Sequence, residues 1–200
     1  VTRRLKEPTF EKKQEMNYEQ LLTKASTECR GAEKKKGTGD PQKIALRNRG
    51  SIDPDNIYEY ISCVQGYSGL SRTLGMSRED VIKELSESGL RGRGGGGYPT
   101  AVKWEICRDT GEGEKYILCN AVDADPKSHI ARVLLEGDPH YVLEGMLIGA
   151  YAVGAGHGFI CTNNEYNAAI DRLNKALEQM KGNGLLGDNV LDSDFSYDIE

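Results

Sequence analysis

Six glycines fall within the nine residues Gly89 to Gly97, inside the run Ser88-Gly89-Leu90-Arg91-Gly92-Arg93-Gly94-Gly95-Gly96-Gly97-Tyr98-Pro99-Thr100-Ala101-Val102-Lys103-Trp104. Glycine lets a chain turn tightly and approach a ligand closely, because no Cβ stands in the way. Backbone N–H groups left free in such a loop form a concave site for anions. Arg93 and Lys103 add full positive charges where a phosphate would sit. The run therefore reads as a loop wrapped around a nucleotide-like cofactor.

Three familiar glycine loops are excluded by context. Gly92-x-Gly94-x-x-Gly97 matches the spelling of the dinucleotide fingerprint. That fingerprint requires a strand before the loop and a helix after it. Here a helical pattern precedes the loop and Pro99 follows it. A P-loop would continue into Gly-Lys-Ser/Thr, which is absent. A kinase loop would stand further from its lysine and be accompanied by H-R-D and D-F-G, and neither occurs.

The flanking elements position this loop. Ile44-Ala45-Leu46 suggests a short strand. Asp53-Pro54 predicts a helix start, with Asp53 as N-cap, Pro54 at the first position and Ile57, Tyr58 and Ile61 on its apolar face. Ser77 predicts a second helix, with Asp80 three residues on as in a capping box, Val81, Ile82 and Leu85 as its stripe and Gly89 as its stop. Tyr116-Ile117-Leu118-Cys119 reads as a buried strand running into the turn-rich segment Asn120 to Pro126. Asp138-Pro139 starts a helix, apolar almost all round to Val153, that must be buried. Phe159 to Thr162 is a second strand, and Tyr166, Ala169, Ile170, Leu173, Leu177 and Met180 mark an amphipathic helix stopped by Gly182. Strand, helix, strand, helix implies parallel pairing with a right-handed crossover. Ligands of open parallel sheets bind beyond the carboxyl ends of the strands. Asn120 to Asp125 and Asn163-Asn164 lie at two such ends.

Composition sets outer bounds. The chain has 200 residues, 38% of them hydrophobic, and a net charge of -5, which gives no reason to expect general nucleic-acid binding. The five cysteines Cys29, Cys63, Cys107, Cys119 and Cys161 contain no C-x-x-C pair, so reduced thiols are favoured over a disulfide framework or a metal site. The longest apolar stretch, Met146 to Val153, is too short to span a bilayer, and no signal-like segment opens the chain. These features point to the cytosol. Residues 1–42 are charged and poor in large apolar residues, and read as a helical or flexible arm and linker whose lysine run, Glu33 to Pro41, is a solvated segment or a docking patch. Residues 43–87 form a helical lead-in, and residues 88–200 the ligand-binding part.

With these segments in view, the chain resembles the N-terminal half of the NADH-binding flavoprotein subunit of respiratory complex I. It is more similar still to the equivalent subunit of NAD(P)-reducing iron–sulfur hydrogenases. Besides Ser88 to Trp104, the resemblance rests on Cys119-Asn120-Ala121, Leu135-Glu136-Gly137-Asp138-Pro139-His140, Leu143 to Ile148, Glu165-Tyr166, Gly184 to Gly187 and Asp194 to Asp198. It implies a Rossmann-like parallel α/β domain, incomplete here, that binds FMN without the dinucleotide fingerprint. It implies hydride transfer from NAD(H) to the flavin and onward single-electron transfer to a [4Fe–4S] cluster. Iron–sulfur partner subunits are implied as well, with a cytoplasmic location or a peripheral one at the inner membrane through those partners. Carried over by position, Gly92, Arg93, Gly94, Gly95, Lys103, Asn120 and Asp123 would hold the flavin, and Tyr98 and Asp125 the nicotinamide nucleotide. No catalytic side chain and no metal ligand is implied within these residues.

Several positions depart from the family pattern. Val122 stands where an aspartate is usual, and Asp123 where a glutamate is usual. Lys127 replaces a glycine, and Ile106 an aromatic residue on the adenine side. Weaker NADH binding or an altered nucleotide preference is expected. The family's Gly-Glu-Glu stretch, asparagine pair and cluster cysteines would follow Glu200, so the chain is expected to be part of a longer subunit. Two other readings stay open: a cofactor-free scaffold of the same fold, and a general phosphate-binding module using the glycine loop alone.

Overall fold

A computed structural model of the chain describes residues 16–29, 44–111, 113–125 and 127–200. The lysine run between Glu33 and Pro41 lies outside the described residues, as does Pro126. The segment read as an arm contains helix α1 (Tyr18–Glu28). Asn17 Oδ1 accepts the Gln20 N–H at 3.0 Å, and Gln20 Oε1 accepts the Asn17 N–H at 3.1 Å, which is a reciprocal capping box. Leu21 and Ala25, four apart on one face, are fully buried. That short stripe docks α1 on helix α2 (Ile57–Val64), although the surrounding composition is charged.

Two expectations between these helices are corrected. Ile44-Ala45-Leu46 is not a strand but a bend and turn, with Ile44 75% exposed. Its backbone is taken by local turns, such as Arg49 N–H to Leu46 O at 3.1 Å, and no neighbouring strand is offered to it among the described residues. Helix α2 starts later than Asp53-Pro54 predicts. Asp53 Oδ1 accepts the Asp55 N–H in an Asx turn, and Asn56 is the true cap, accepting from Tyr58 N–H at 3.0 Å. Both aspartate and asparagine can cap; the one that wins places Ile57, Tyr60 and Ile61 inward.

Helix α3 (Ser68–Leu74) follows a tight turn in which Gln65 and Tyr67 take positive φ, and helix α4 (Arg78–Glu87) opens on Ser77 as expected. The Ser77 hydroxyl accepts the Asp80 N–H at 3.1 Å and donates to the Asp80 carboxylate at 2.7 Å. A helix also follows the glycine loop, α5 (Thr100–Asp109), with Pro99 at its cap. The loop thus joins two helices, and the dinucleotide fingerprint still fails because no strand precedes it.

The sheet is built from β1 (Tyr116–Ala121), β2 (His157–Thr162) and β3 (Asp198–Ile199), ordered β1-β2-β3 and parallel throughout. Helices α6 (Ile130–Gly137) and α7 (Pro139–Val153) cross from β1 to β2, and α8 (Asn167–Gly182) lies in the crossover from β2 to β3. The strand expected to be buried is covered on one face only: Ile117, Cys119 and Ala121 face the helices, whereas Tyr116, Leu118 and Asn120 are exposed because no helix among the described residues covers that side. Gly158 is required in β2, since a Cβ there would stand 2.0 Å from the Tyr197 hydroxyl.

Helix α7 is the hub. Asp138 caps it by accepting the Tyr141 N–H at 3.1 Å, Pro139 sits in its first turn, and Gly154 ends it at φ 80°. Its two buried polar side chains are matched. Glu144 accepts from the Tyr60 hydroxyl at 2.6 Å and from the N–H groups of Tyr67 and Leu70 at 2.9 and 3.2 Å, so it caps α3 from across the core. His140 Nδ1 accepts from the Tyr67 hydroxyl at 2.8 Å, and Nε2 meets Gln179 Oε1 at 3.3 Å. That oxygen also accepts the Ile57 N–H, while Gln179 Nε2 donates to Asp55 O. The amide orientation assigns the neutral Nε2–H tautomer to His140.

Burial lowers the His140 pKa from 6.5 to about 4, with the Gln179 hydrogen bond opposing weakly. The unfolded chain binds a proton that the folded chain refuses between these values. Stability from this group is full above pH 6.5 and falls toward pH 4, by up to about 3 kcal/mol. Asp138, raised by burial against its Asn48 and Tyr141 hydrogen bonds, works in the opposite sense at the acid end. Urea midpoints across this window should fall with decreasing pH in the wild type. The pH slope should be smaller, by up to one proton, in His140→Gln.

Candidate functional site

The glycine loop is closed at its neck. Thr100 N–H donates to Leu90 O at 3.0 Å and Gly92 N–H to Tyr98 O at 2.9 Å, flanking an antiparallel bridge between Arg91 and Pro99. Beyond the neck the backbone is unsatisfied. Among the described residues, no backbone carbonyl accepts from the N–H groups of Arg93, Gly94, Gly95, Gly96, Gly97 or Tyr98. The four positions Gly94 to Gly97 have open space where a Cβ would project. Gly95 and Gly97 take φ of 103° and 57°, conformations that an L side chain rarely adopts. This loop is shaped by backbone and left open, as an anion-binding nest requires.

Two side chains expected in the site sit beside it. Lys103, exposed in the first turn of α5, holds its Nζ 5.9 Å from the centre of the Tyr98 ring. Tyr98 is half-exposed. Arg93 is exposed at the loop itself. The next residue of α5, Trp104, points inward and meets helix α7 at Gly149, where a Cβ would lie 3.2 Å from the indole and 3.8 Å from Ile117 of β1. One tryptophan therefore fastens the lysine-bearing helix to the hub and, through it, to the sheet.

The remaining expected residues lie at the carboxyl end of β1. Asn120 is on the exposed sheet face, opposite Cys161 of β2 in register, and its Oδ1 accepts the Val122 N–H at 3.3 Å. Asp125 is exposed and accepts the Lys127 N–H at 3.2 Å. Asp123 occupies a positive-φ turn and is fully engaged. Its carboxylate accepts from the N–H groups of Ala131 and Arg132 at 3.1 and 3.2 Å, from the Ser128 hydroxyl at 3.3 Å and from the Tyr166 hydroxyl at 3.2 Å. Partial burial opposes ionisation, but these donors outweigh it and hold the carboxyl below its ordinary range. In this structure Asp123 caps α6 and ties it to Tyr166 at the start of α8. No hydrogen bond, ion pair or ring contact joins the glycine-loop group to the β1 group among the described residues. Helix α5, which follows the loop, packs on α7 on the covered side of β1, whereas Asn120 is on the exposed side.

Two features escape sequence reasoning. Arg91 has no role that its place in the glycine run suggests, yet its Nη1 donates to Gly97 O at 3.0 Å. Thr162 ends β2, and its buried hydroxyl has no hydrogen-bond partner. It stands beside Ala121, at the strand ends where a parallel sheet receives ligands. Nothing in the spelling of either neighbourhood marks these roles, since both depend on what the fold leaves unpaired.

Fold and loop together define a three-stranded parallel α/β domain that carries an open, amide-lined glycine loop. The match is more specific than that. Residues 85–199 match the family described as the Nuo51 FMN-binding domain, and the chain belongs to that family. It is 47% identical over 158 residues to NADP-reducing hydrogenase subunit HndC of Solidesulfovibrio fructosivorans, covering 79% of this chain and 32% of that one. It is 40% identical over 134 residues to an NADH-quinone oxidoreductase subunit of Aquifex aeolicus, covering 67% of this chain and 31% of that one. Among solved structures, an NAD+-reducing [NiFe]-hydrogenase in the H2-reduced state aligns with a TM-score of 0.58 at 25% identity, over 79% of this chain and 24% of that chain. The chain spans about a third of the length of the curated relatives it matches. These relatives are oxidoreductase subunits by name, and the Rossmann-like α/β reading of the sequence agrees with the fold.

Asp123 yields a prediction independent of any ligand. Replacing it with Ala removes the cap of α6 and should cost about 1–2 kcal/mol. The loss should appear as a lower thermal midpoint with faster amide exchange at Ala131 and Arg132; unchanged exchange there would show that the cap is dispensable.

Proposed function

We propose that this chain forms the flavin side of an NAD(P)H-oxidising subunit, with FMN as its cofactor and a nicotinamide nucleotide as hydride donor. The observation that carries this reading is the glycine loop, open at Gly94 to Gly97 with six consecutive amides that no backbone carbonyl among the described residues accepts from. The residues present fit the group. The free amides suit a phosphate or an electron-rich ring edge, and Arg93 and Lys103 supply charge. The orphaned Thr162 hydroxyl and the exposed Asn120 offer polar contacts at the strand ends. Bound there, FMN would supply two-electron acceptance from a nicotinamide and one-electron release.

The chain's own residues bind and orient. Arg93, Gly94 and Gly95 present backbone N–H groups, Gly92 brings the backbone close and closes the neck through its bond to Tyr98 O, and Lys103 stabilises negative charge on the ligand. Tyr98 offers a half-exposed ring face beside the loop, suited to a nicotinamide, with Asp125 as its polar counterpart. A ligand lying across the carboxyl ends of β1 and β2 would bridge the loop and Asn120, which otherwise do not touch. Asp123 acts through α6, holding the turn that carries Val122 and Asp125. Among the described residues, no group of three or more His, Cys, Asp or Glu side chains could hold a metal ion. A [4Fe–4S] cluster as electron acceptor, and iron–sulfur partner subunits to receive the electrons, are therefore proposed for the whole subunit and not for these residues. No helix among the described residues is long and apolar enough to cross a membrane. We place the subunit in the cytoplasm, or at the inner-membrane surface through partners.

A second reading, a cofactor-free scaffold of the same fold, is favoured by Val122 and Lys127 at the strand end and by the engagement of Asp123. The absorbance spectrum of the complete gene product separates the two. Flavin bands that bleach on adding NADH or NADPH support the oxidoreductase reading. A colourless protein that stays colourless with added FMN supports the scaffold. If flavin binds, Lys103→Ala should weaken it about tenfold, the value of one charge-assisted hydrogen bond. Val122→Asp should tighten it by adding a polar group at the end of β1. Equal FMN affinity in Lys103→Ala would remove that lysine from the site.

A further inference from the structure

We propose that Arg91 is a positioning residue that sets the binding shape of the glycine loop without itself meeting the ligand. This rests on the flavin reading for its ligand, though not for its structural part. Arg91 and Pro99 face each other across the loop neck, with the two backbone hydrogen bonds on either side of them. In such a non-hydrogen-bonded antiparallel pair the side chains stand close together. From there the Arg91 guanidinium reaches toward the loop tip, and its Nη1 donates to Gly97 O at 3.0 Å.

That contact is the only side-chain hydrogen bond to the loop between Gly92 and Tyr98 among the described residues. The tip it restrains is four consecutive glycines, the sequence with the greatest backbone freedom to lose. A trans peptide puts its carbonyl and the following N–H on opposite sides of the bond. Holding the Gly97 carbonyl toward Arg91 therefore aims the Tyr98 N–H the other way. It also keeps that carbonyl from turning in among the unpaired N–H groups of Arg93 to Gly97, where it would repel an anion. Gly97 itself sits at φ 57° with open space where a Cβ would project, so no packed side chain presses on it and the Arg91 hydrogen bond is the side-chain contact it has among the described residues. The restraint comes from the guanidinium.

Arg91 and Arg93 thus divide the work. Arg93 is the charge at the loop, with no side-chain hydrogen bond restraining it among the described residues. Arg91 is the strut beneath it. Removing a strut exposes the loop to its own flexibility before any ligand arrives; removing a ligand-facing charge does not.

The test uses the complete gene product carrying Arg91→Met, which keeps an unbranched apolar stem and removes the guanidinium donors. In the flavin-free protein, amide exchange at Gly92 and Thr100, the two neck donors, should quicken about tenfold while the thermal midpoint stays at its wild-type value. FMN affinity, read by flavin fluorescence, should fall about tenfold. The fall should be the same at low and high salt, because a charge touching the phosphate would be screened. Arg91→Lys, which retains one donor, should recover part of the affinity. Wild-type exchange rates in Arg91→Met overturn the proposal, as does an affinity loss that shrinks with salt. If the wild type binds no FMN, the flavin reading fails, and the exchange measurement still decides the role of Arg91.

Discussion

An almost wholly apolar helix cannot be left in water, and much of this structure follows from burying α7. Its sequence, Pro139 to Val153, has no polar face to turn outward, so it must be surrounded. Helices α3, α4, α5, α6 and α8 and strands β1 and β2 all pack against it. Enclosure makes the two polar side chains on α7 destabilising unless paired, and both are. Glu144 is committed to the start of α3, and His140 to Tyr67 and Gln179. The core is therefore specified by hydrogen bonds as well as by volume, and the strained turn at Gln65 and Tyr67 is held by those same bonds.

The site is built on the opposite principle. The core satisfies every backbone group it can, while the glycine loop leaves a row of amides open. The neck bonds, the Arg91 contact and the Trp104 anchor hold this open stretch without filling it. Rigid support below and unpaired donors above are what a preorganised anion site needs, because a ligand then gains hydrogen bonds without having to order the loop. Beyond the strand ends the arrangement is tighter. Asp123 is committed to α6 and Tyr166, Asn120 and Asp125 make only local hydrogen bonds, and the Thr162 hydroxyl has none among the described residues.

The sheet explains why the site has two halves. Side chains alternate along β1, so Asn120 shares the open face with Tyr116 and Leu118, while Ile117, Cys119 and Ala121 face the helices. The loop, tied through Trp104 to α7, belongs to the helix side. Parallel sheets in general receive ligands over the carboxyl ends of their strands, where Asn120 and Thr162 lie. Membership in the Nuo51 FMN-binding-domain family and the hydrogenase and quinone-oxidoreductase relatives are consistent with such a ligand.

Much of this was legible in one dimension. The glycine run, the Ser77 and Asp138 caps, the buried helix and both main strands are written in local residue chemistry: caps satisfy nearby N–H groups, and periodicity reports which face is dry. Local rules were less able to choose between rivals. Asp53 and Asn56 both read as caps, and packing of Ile57, Tyr60 and Ile61 selected the second. Ile44 to Leu46 reads as a strand, but a strand exists only with a partner, and none is there among the described residues. Helices α3 and α6 carry no strong start signal because their first turns are capped from afar, by Glu144 and Asp123. By itself, then, the sequence determined most of the elements, the parallel α/β class and the open glycine loop. Which carboxylate is engaged and which arginine reaches a loop carbonyl depended on how the chain folds back to bring partners together. Only the tertiary structure could decide them, because a hydrogen bond belongs to two residues and a sequence shows them one at a time.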